Sequence, residues 1–79
     1  MRLDKFLKVS RLIKRRTVAN EACDAGRVLV NELVAKASQK VKVGDIIEIQ
    51  FGTKSVKAEV LALQETTKKA EAKELFRYL

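Results

Sequence analysis

From Leu3 to Ile13 the apolar residues recur three and four positions apart. On a helical wheel Leu3, Phe6, Leu7, Val9, Ser10 and Ile13 share one side, while Asp4, Lys5, Lys8 and Arg11 share the other. This predicts an amphipathic helix with one face for a core and a basic face for water or a ligand. Thr17 to Ala25 predict a second, shorter helix. Its buried side is Val18, Ala19, Ala22 and Cys23, with Asn20, Glu21 and Asp24 facing outward. Gly26 is the expected stop, because helices often end on a residue in the left-handed conformation that glycine adopts without strain.

After Arg27 the period changes to two. Val28-Leu29-Val30 predicts a strand and Leu33-Val34-Ala35 its return, joined by Asn31-Glu32. A two-residue hairpin turn favours Asn-Gly, since both central residues can need positive φ. Glu32 fits that role poorly, so either a tight turn or a wider loop satisfies the sequence. Val41 to Val43 lead into a turn at Gly44-Asp45. Ile46 to Phe51 alternate as a strand, Gly52-Thr53-Lys54 turn the chain, and Ser55 to Leu63 alternate again. Val56, Ala58, Val60 and Ala62 fall on one face of that last strand.

The tail from Thr66 to Leu79 reads as a helix. Thr67 is its expected cap, and Ala72, Leu75, Phe76 and Leu79 its apolar set, folded back on the domain. The whole is then an α+β chain, with two N-terminal helices on a small bent antiparallel sheet and a short C-terminal helix. Residues 1–65 form the domain, with its core motif in 1–51, and 66–79 pack on or beside it. There is no repeat, linker or low-complexity segment.

Charge changes this picture more than composition does. The 79 residues carry a net +7. Residues 1–16 hold Arg2, Lys5, Lys8, Arg11, Lys14, Arg15 and Arg16 against the single acid Asp4, a net +6, so one end carries nearly all the excess. A solvated face would account for net charge but not for its concentration. A localised basic patch is the footprint of a polyanionic partner. Lysine meets phosphate as a point charge, whereas arginine offers a planar fork of donors. Lys14, Arg15 and Arg16 also stand where the second helix begins, and its free N–H groups favour an anion. Asp4, in the first turn, complements the helix dipole and can orient the cations beside it.

Other chemistry is poorly supplied. There is no histidine, and three glycines form no phosphate-cradling loop. No Ser-His or Cys-His pair exists, and nothing sets Asp4, Asp45 and Glu48 in one pocket, so neither catalysis nor a metal or other cofactor is expected. Cys23 is alone and reads as a small buried core residue, a usage that suits a reducing cytoplasm. No apolar run is long enough for a signal peptide or a membrane span, and the basic N-terminus reads as part of the fold. Phe6, Phe51 and Phe76 look like core, so no aromatic platform for single strands is evident. A folded RNA, read by its phosphates and 2′-hydroxyls, is the expected ligand.

One ordered series of motifs supports that expectation. Arg2-Leu3-Asp4-Lys5-Phe6-Leu7, Arg15-Arg16-Thr17-Val18-Ala19, Ala25-Gly26-Arg27-Val28, Val30-Asn31 and Val43-Gly44-Asp45 resemble the S-four RNA-binding domain over residues 1–51. The run from Met1 to Thr17 is similar to the short RqcP-type, ribosome-associated branch of that family and to its heat-shock ribosome-binding relatives. The resemblance implies a protein on the free large ribosomal subunit carrying peptidyl-tRNA. It would touch ribosomal RNA and the tRNA while RqcH extends the stalled chain with alanine. It also implies contacts from Arg2, Asp4 and Arg16, helped by Lys5, Lys14 and Arg15. Lys8, Arg11 and Arg27 join the expected RNA-binding set, and Lys36, Lys40 and Lys42 add to it from the sheet side. The chain is expected to be monomeric, cytoplasmic and not membrane-bound. Two alternatives stay open: a recycling or assembly factor of the same family without a role in tailing, and a peripheral membrane protein using the basic helix. Glu32 departs from the family's usual glycine.

Overall fold

The computed structural model describes residues 1–65 and 68–79. Helix α1 spans Leu3–Val9 and α2 spans Arg16–Asp24. Strands β1 (Val28–Val30), β2 (Leu33–Val34), β3 (Ile46–Phe51) and β4 (Lys54–Val60) follow, then a one-turn helix α3 (Lys69–Ala72) and strand β5 (Phe76–Tyr78). All pairings are antiparallel, in the order β2-β1-β3-β4-β5. The α+β architecture is the one the sequence predicts.

The apolar spacing of α1 explains its packing. Leu3, Phe6 and Leu7 are fully buried against Val28, Val30, Ile47, Ile49, Ala58 and Val60 of the sheet, with Ala19 and Cys23 of α2 completing the layer. The helix ends earlier than its hydrophobic period. Ser10 is the C-cap, and its buried hydroxyl donates to the Leu7 carbonyl at 3.3 Å. Arg11 then takes a left-handed φ of 62°, which turns the chain and returns Ile13 to the core. In α2 the buried side is narrower than the wheel suggests: Val18 is 45% exposed, while Ala19 and Cys23 are enclosed. Gly26 ends the segment with φ 73°, as expected of that position.

Asn31 and Glu32 form the tight turn, not the wider loop. Their φ angles are 52° and 71°, and Val30 pairs directly with Leu33. The Asn31 amide donates to the buried Asp45 carboxylate at 3.1 Å, and its oxygen accepts from the Ile46 N–H at 3.0 Å. Those bonds fasten the hairpin to the start of β3 and hold the turn despite Glu32. A left-handed β-carbon clashes with its own carbonyl, so Glu32→Gly is expected to stabilise the fold by up to about 1 kcal/mol, read as a higher midpoint in urea. An unchanged or lower midpoint would count against strain at this turn.

Two expectations are corrected. The expected helix from Thr66 to Leu79 is not continuous: among the described residues of the tail only Lys69–Ala72 form a helix, and Phe76–Tyr78 add a fifth strand beside β4. Phe76-Arg77-Tyr78 alternate in polarity and favour a pleated, half-buried edge. Leu75 and Phe76 reach the core, but Leu79 is exposed, and Thr67 lies outside the described residues. Phe51, read as core, is 50% exposed at the end of β3.

Candidate nucleic-acid interface

The first turn of α1 is held from outside by the segment between β2 and β3. Leu3 and Asp4 donate their N–H groups to the carbonyls of Gln39 and Ala37 at 2.7 and 3.2 Å, and Val41 donates to the carbonyl of Met1 at 2.9 Å. Helix N-termini carry N–H groups without intrahelical partners, and here the loop satisfies two of them. Ala35, Ala37 and Val41 are buried in making this clamp.

Clamping fixes Asp4, whose side chain is almost wholly enclosed. Its carboxylate accepts from Arg2 Nε and Nη2 at 3.2 and 3.3 Å, and from Arg16 Nε and Nη2 at 3.4 and 3.5 Å. The Asn20 amide donates at 3.3 Å and the Lys5 backbone N–H at 2.8 Å. Burial pushes the carboxyl's pKa up. The Arg16 and Asn20 hydrogen bonds, the Arg16 charge and the Lys5 N–H together outweigh that and hold it below the ordinary aspartate value. The result is a buried anion tying the guanidinium of Arg2, the N-cap of α1, to that of Arg16 in the first turn of α2, each with about half its side chain in solvent: 48% for Arg2 and 47% for Arg16.

The other basic residues of the first sixteen keep their side chains wholly or partly in solvent. Lys8, Arg11, Lys14 and Arg15 are exposed, and no side chain caps α2 at Arg15, so its first turn points open N–H groups toward the same end. Lys5 is half-buried and pairs with Glu65, which turns its ammonium toward the tail. Arg27 stands apart: it follows the far end of α2, which lies about 12 Å from Arg16 at the helical rise per residue. The structure therefore brings Arg2, Asp4 and Arg16 into one cluster, leaves Lys8, Arg11, Lys14 and Arg15 exposed on the chain between Asp4 and Arg16, and places Arg27 beyond the far end of α2.

Asn20, which the helical wheel turns outward, is half-buried on Asp4. Its signal was present, since Asn20 lies four residues after Arg16 and shares its helix face. Cys23 is buried, and desolvation, with the charges of Asp4 and Asp24, pushes its thiol to about 11, so it stays protonated and inert. Among the described residues no group of three potential metal ligands occurs, and no helix is long and apolar enough to cross a membrane.

Comparison with known proteins identifies the family and the fold. The S4 domain family model matches residues 1–47. The chain is 56% identical to the RQC P-site tRNA stabilizing factor of Bacillus subtilis over 79 residues, covering 100% of this chain and 92% of the relative. It is 58% identical to the protein of the same name from Halalkalibacterium halodurans over 76 residues, covering 96% and 86%. Among solved structures, the trimeric Heat Shock Protein 15 of Vibrio cholerae matches with a TM-score of 0.92 at 29% identity, covering 100% of this chain and 81% of that one. With the family model spanning more than half its length and full-length relatives above half identity, the chain belongs to the S4-domain family, in the group of the RQC P-site tRNA stabilizing factors.

Proposed function

We propose that this chain is an RNA-binding factor of ribosome-associated quality control that acts by binding rather than by catalysis. The observation that carries this reading is the Asp4 cluster. A buried carboxylate fixes two arginine forks on a surface that is otherwise positive, so the forks reach a phosphate with little rotamer freedom left to lose. The relatives' name, P-site tRNA stabilizing factor, supports the choice of partner. In this reading Arg2 and Arg16 contact ribosomal RNA of the large subunit and the peptidyl-tRNA, and Asp4 positions them. Lys5, Lys8, Arg11, Lys14 and Arg15 supply the surrounding field, and Arg27 extends it at lower weight. The protein works as a cytoplasmic monomer on the particle, steadying the tRNA while RqcH adds alanine to the stalled chain.

Phosphate contacts release condensed counterions, so affinity must fall with salt. Even two such contacts give a loss of about tenfold between roughly 50 and 200 mM salt. Filter binding of a large-subunit stem-loop across that range measures it, and a flat response would remove phosphate contact from the mechanism. The tailing role is separable from general recycling or assembly. Cells lacking the gene are expected to lose alanine tails on stalled chains. Tails that persist would leave the RNA-binding reading intact and favour the recycling alternative.

A further inference from the structure

A second groove lies away from the Asp4 cluster. It encloses about 710 Å³ between the turn after α1 and the end of the sheet, and Arg11, Lys14, Lys73, Phe76 and Tyr78 line it. Its position follows from the register of β5. Phe76 and Tyr78 pair with Val60 and Ala58, so both rings point to the face of the sheet that carries the helices. Phe76 is covered there. Tyr78, at the outer edge, is 67% exposed and stands edge-to-face on Phe76 with ring centroids 5.0 Å apart. Arg77 also borders the groove, but its guanidinium is paired with Glu59 at 2.8 Å. Among the described residues, no acid pairs with Arg11, Lys14 or Lys73. A wet ring held rigid by a second ring, beside three unpaired cations, is the composition of a site for a single unpaired nucleotide. Bases stack on exposed aromatics while cations hold the backbone.

We propose that this groove binds an unpaired nucleotide of RNA, with its base against Tyr78 and its phosphate on Arg11, Lys14 and Lys73. The inference rests on the RNA-binding reading above and extends it. Folded RNA would be gripped at Arg2 and Arg16, and a flanking unpaired base would be captured at the tail. It also explains why an exposed tyrosine and three unpaired cations converge beside the turn after α1.

The chain has one tyrosine and no tryptophan, so its emission reports Tyr78 alone. Titrating the full chain with an oligoadenylate hexanucleotide is expected to quench that emission to saturation. The quench should survive Arg2→Ala/Arg16→Ala, and Lys73→Glu should weaken it. Tyr78→Ala, followed by anisotropy of a labelled hexanucleotide, should lose roughly tenfold in affinity, and Tyr78→Phe should restore it. A blunt stem-loop should bind Lys73→Glu and Tyr78→Ala as it binds the parent. Quenching that vanishes with Arg2 and Arg16, or that ignores Lys73, would overturn the groove. So would quenching by an oligoglutamate peptide but not by the oligonucleotide. In each case stem-loop binding through Arg2 and Arg16 would still stand. Failure of both RNAs to bind would overturn the two readings together.

Discussion

Asp4→Asn adds one positive charge to a basic face and is nevertheless expected to weaken RNA binding about tenfold. The two effects oppose each other, so the sign is informative. One more net charge on a surface facing a polyanion strengthens long-range attraction, but exposed charges are screened within about 10 Å at ordinary salt. Losing the carboxylate removes the anchor of two arginine forks, which donate charge-assisted bonds to it at 3.2 to 3.5 Å. Each long side chain then regains rotamer freedom that binding must take away again, at about 0.5–1.5 kcal/mol apiece, or about a factor of ten for the pair. The fold pays less than a buried ion pair would suggest, because both guanidiniums already reach water. A loss of about 1–2 kcal/mol is expected from the bonds of Asn20 and the Lys5 N–H. The pH response has a definite sign. Asp4 titrates lower in the folded state, so its charged form stabilises the fold above the unfolded value near about 3.9, and that contribution fades as the pH falls below it. Asp4→Asn should flatten that acid limb. Tighter RNA binding by the variant would show that net charge, not arrangement, governs the face.

Much of this arrangement was legible in the sequence because it rests on local periodicity. Leu3, Phe6 and Leu7 repeat at the helical period, Val28–Val30 and Ile46–Phe51 at two, and Gly26 sits where a left-handed residue is required. Asp4 was legible as a first-turn acid among cations, though not as a carboxylate shared by two helices. What escaped has no periodic signature. The clamp on α1 is made by backbone carbonyls of Ala37 and Gln39, and any side chain would offer the same group. In the tail Ala70, Glu71, Ala72 and Lys73 do favour a helix, and one turn of it forms. Phe76 to Tyr78 then leave it for the open edge of β4, a long-range pairing that no local window contains. Arg11 is a third case. Its helical spacing put it with Lys5 and Lys8, but a left-handed φ moves it beyond the helix and toward the tail groove.

The largest loss is expected from removing both forks: Arg2→Ala/Arg16→Ala should lower affinity for a large-subunit stem-loop about a hundredfold. Each bidentate, charge-assisted contact to phosphate contributes on the order of 1.5 kcal/mol, or about tenfold, and the two residues stand on separate elements that can grip separate phosphates. The salt dependence should fall in step, by about 0.9 in the logarithmic slope for each contact removed from duplex-like RNA. Stability measures whether the loss is local. Both side chains are half in water, so their removal should change the urea midpoint little, apart from the cost of leaving the Asp4 carboxylate with fewer partners. Adding Asp4→Asn to the double variant closes the argument, because Asp4 is assigned no contact of its own with RNA. If it acts only through Arg2 and Arg16, the triple variant should bind no worse than the double, a coupling as large as the effect of Asp4→Asn alone. Full additivity would mean that Asp4 holds something else on this face, and the two arginines would lose their shared origin of order.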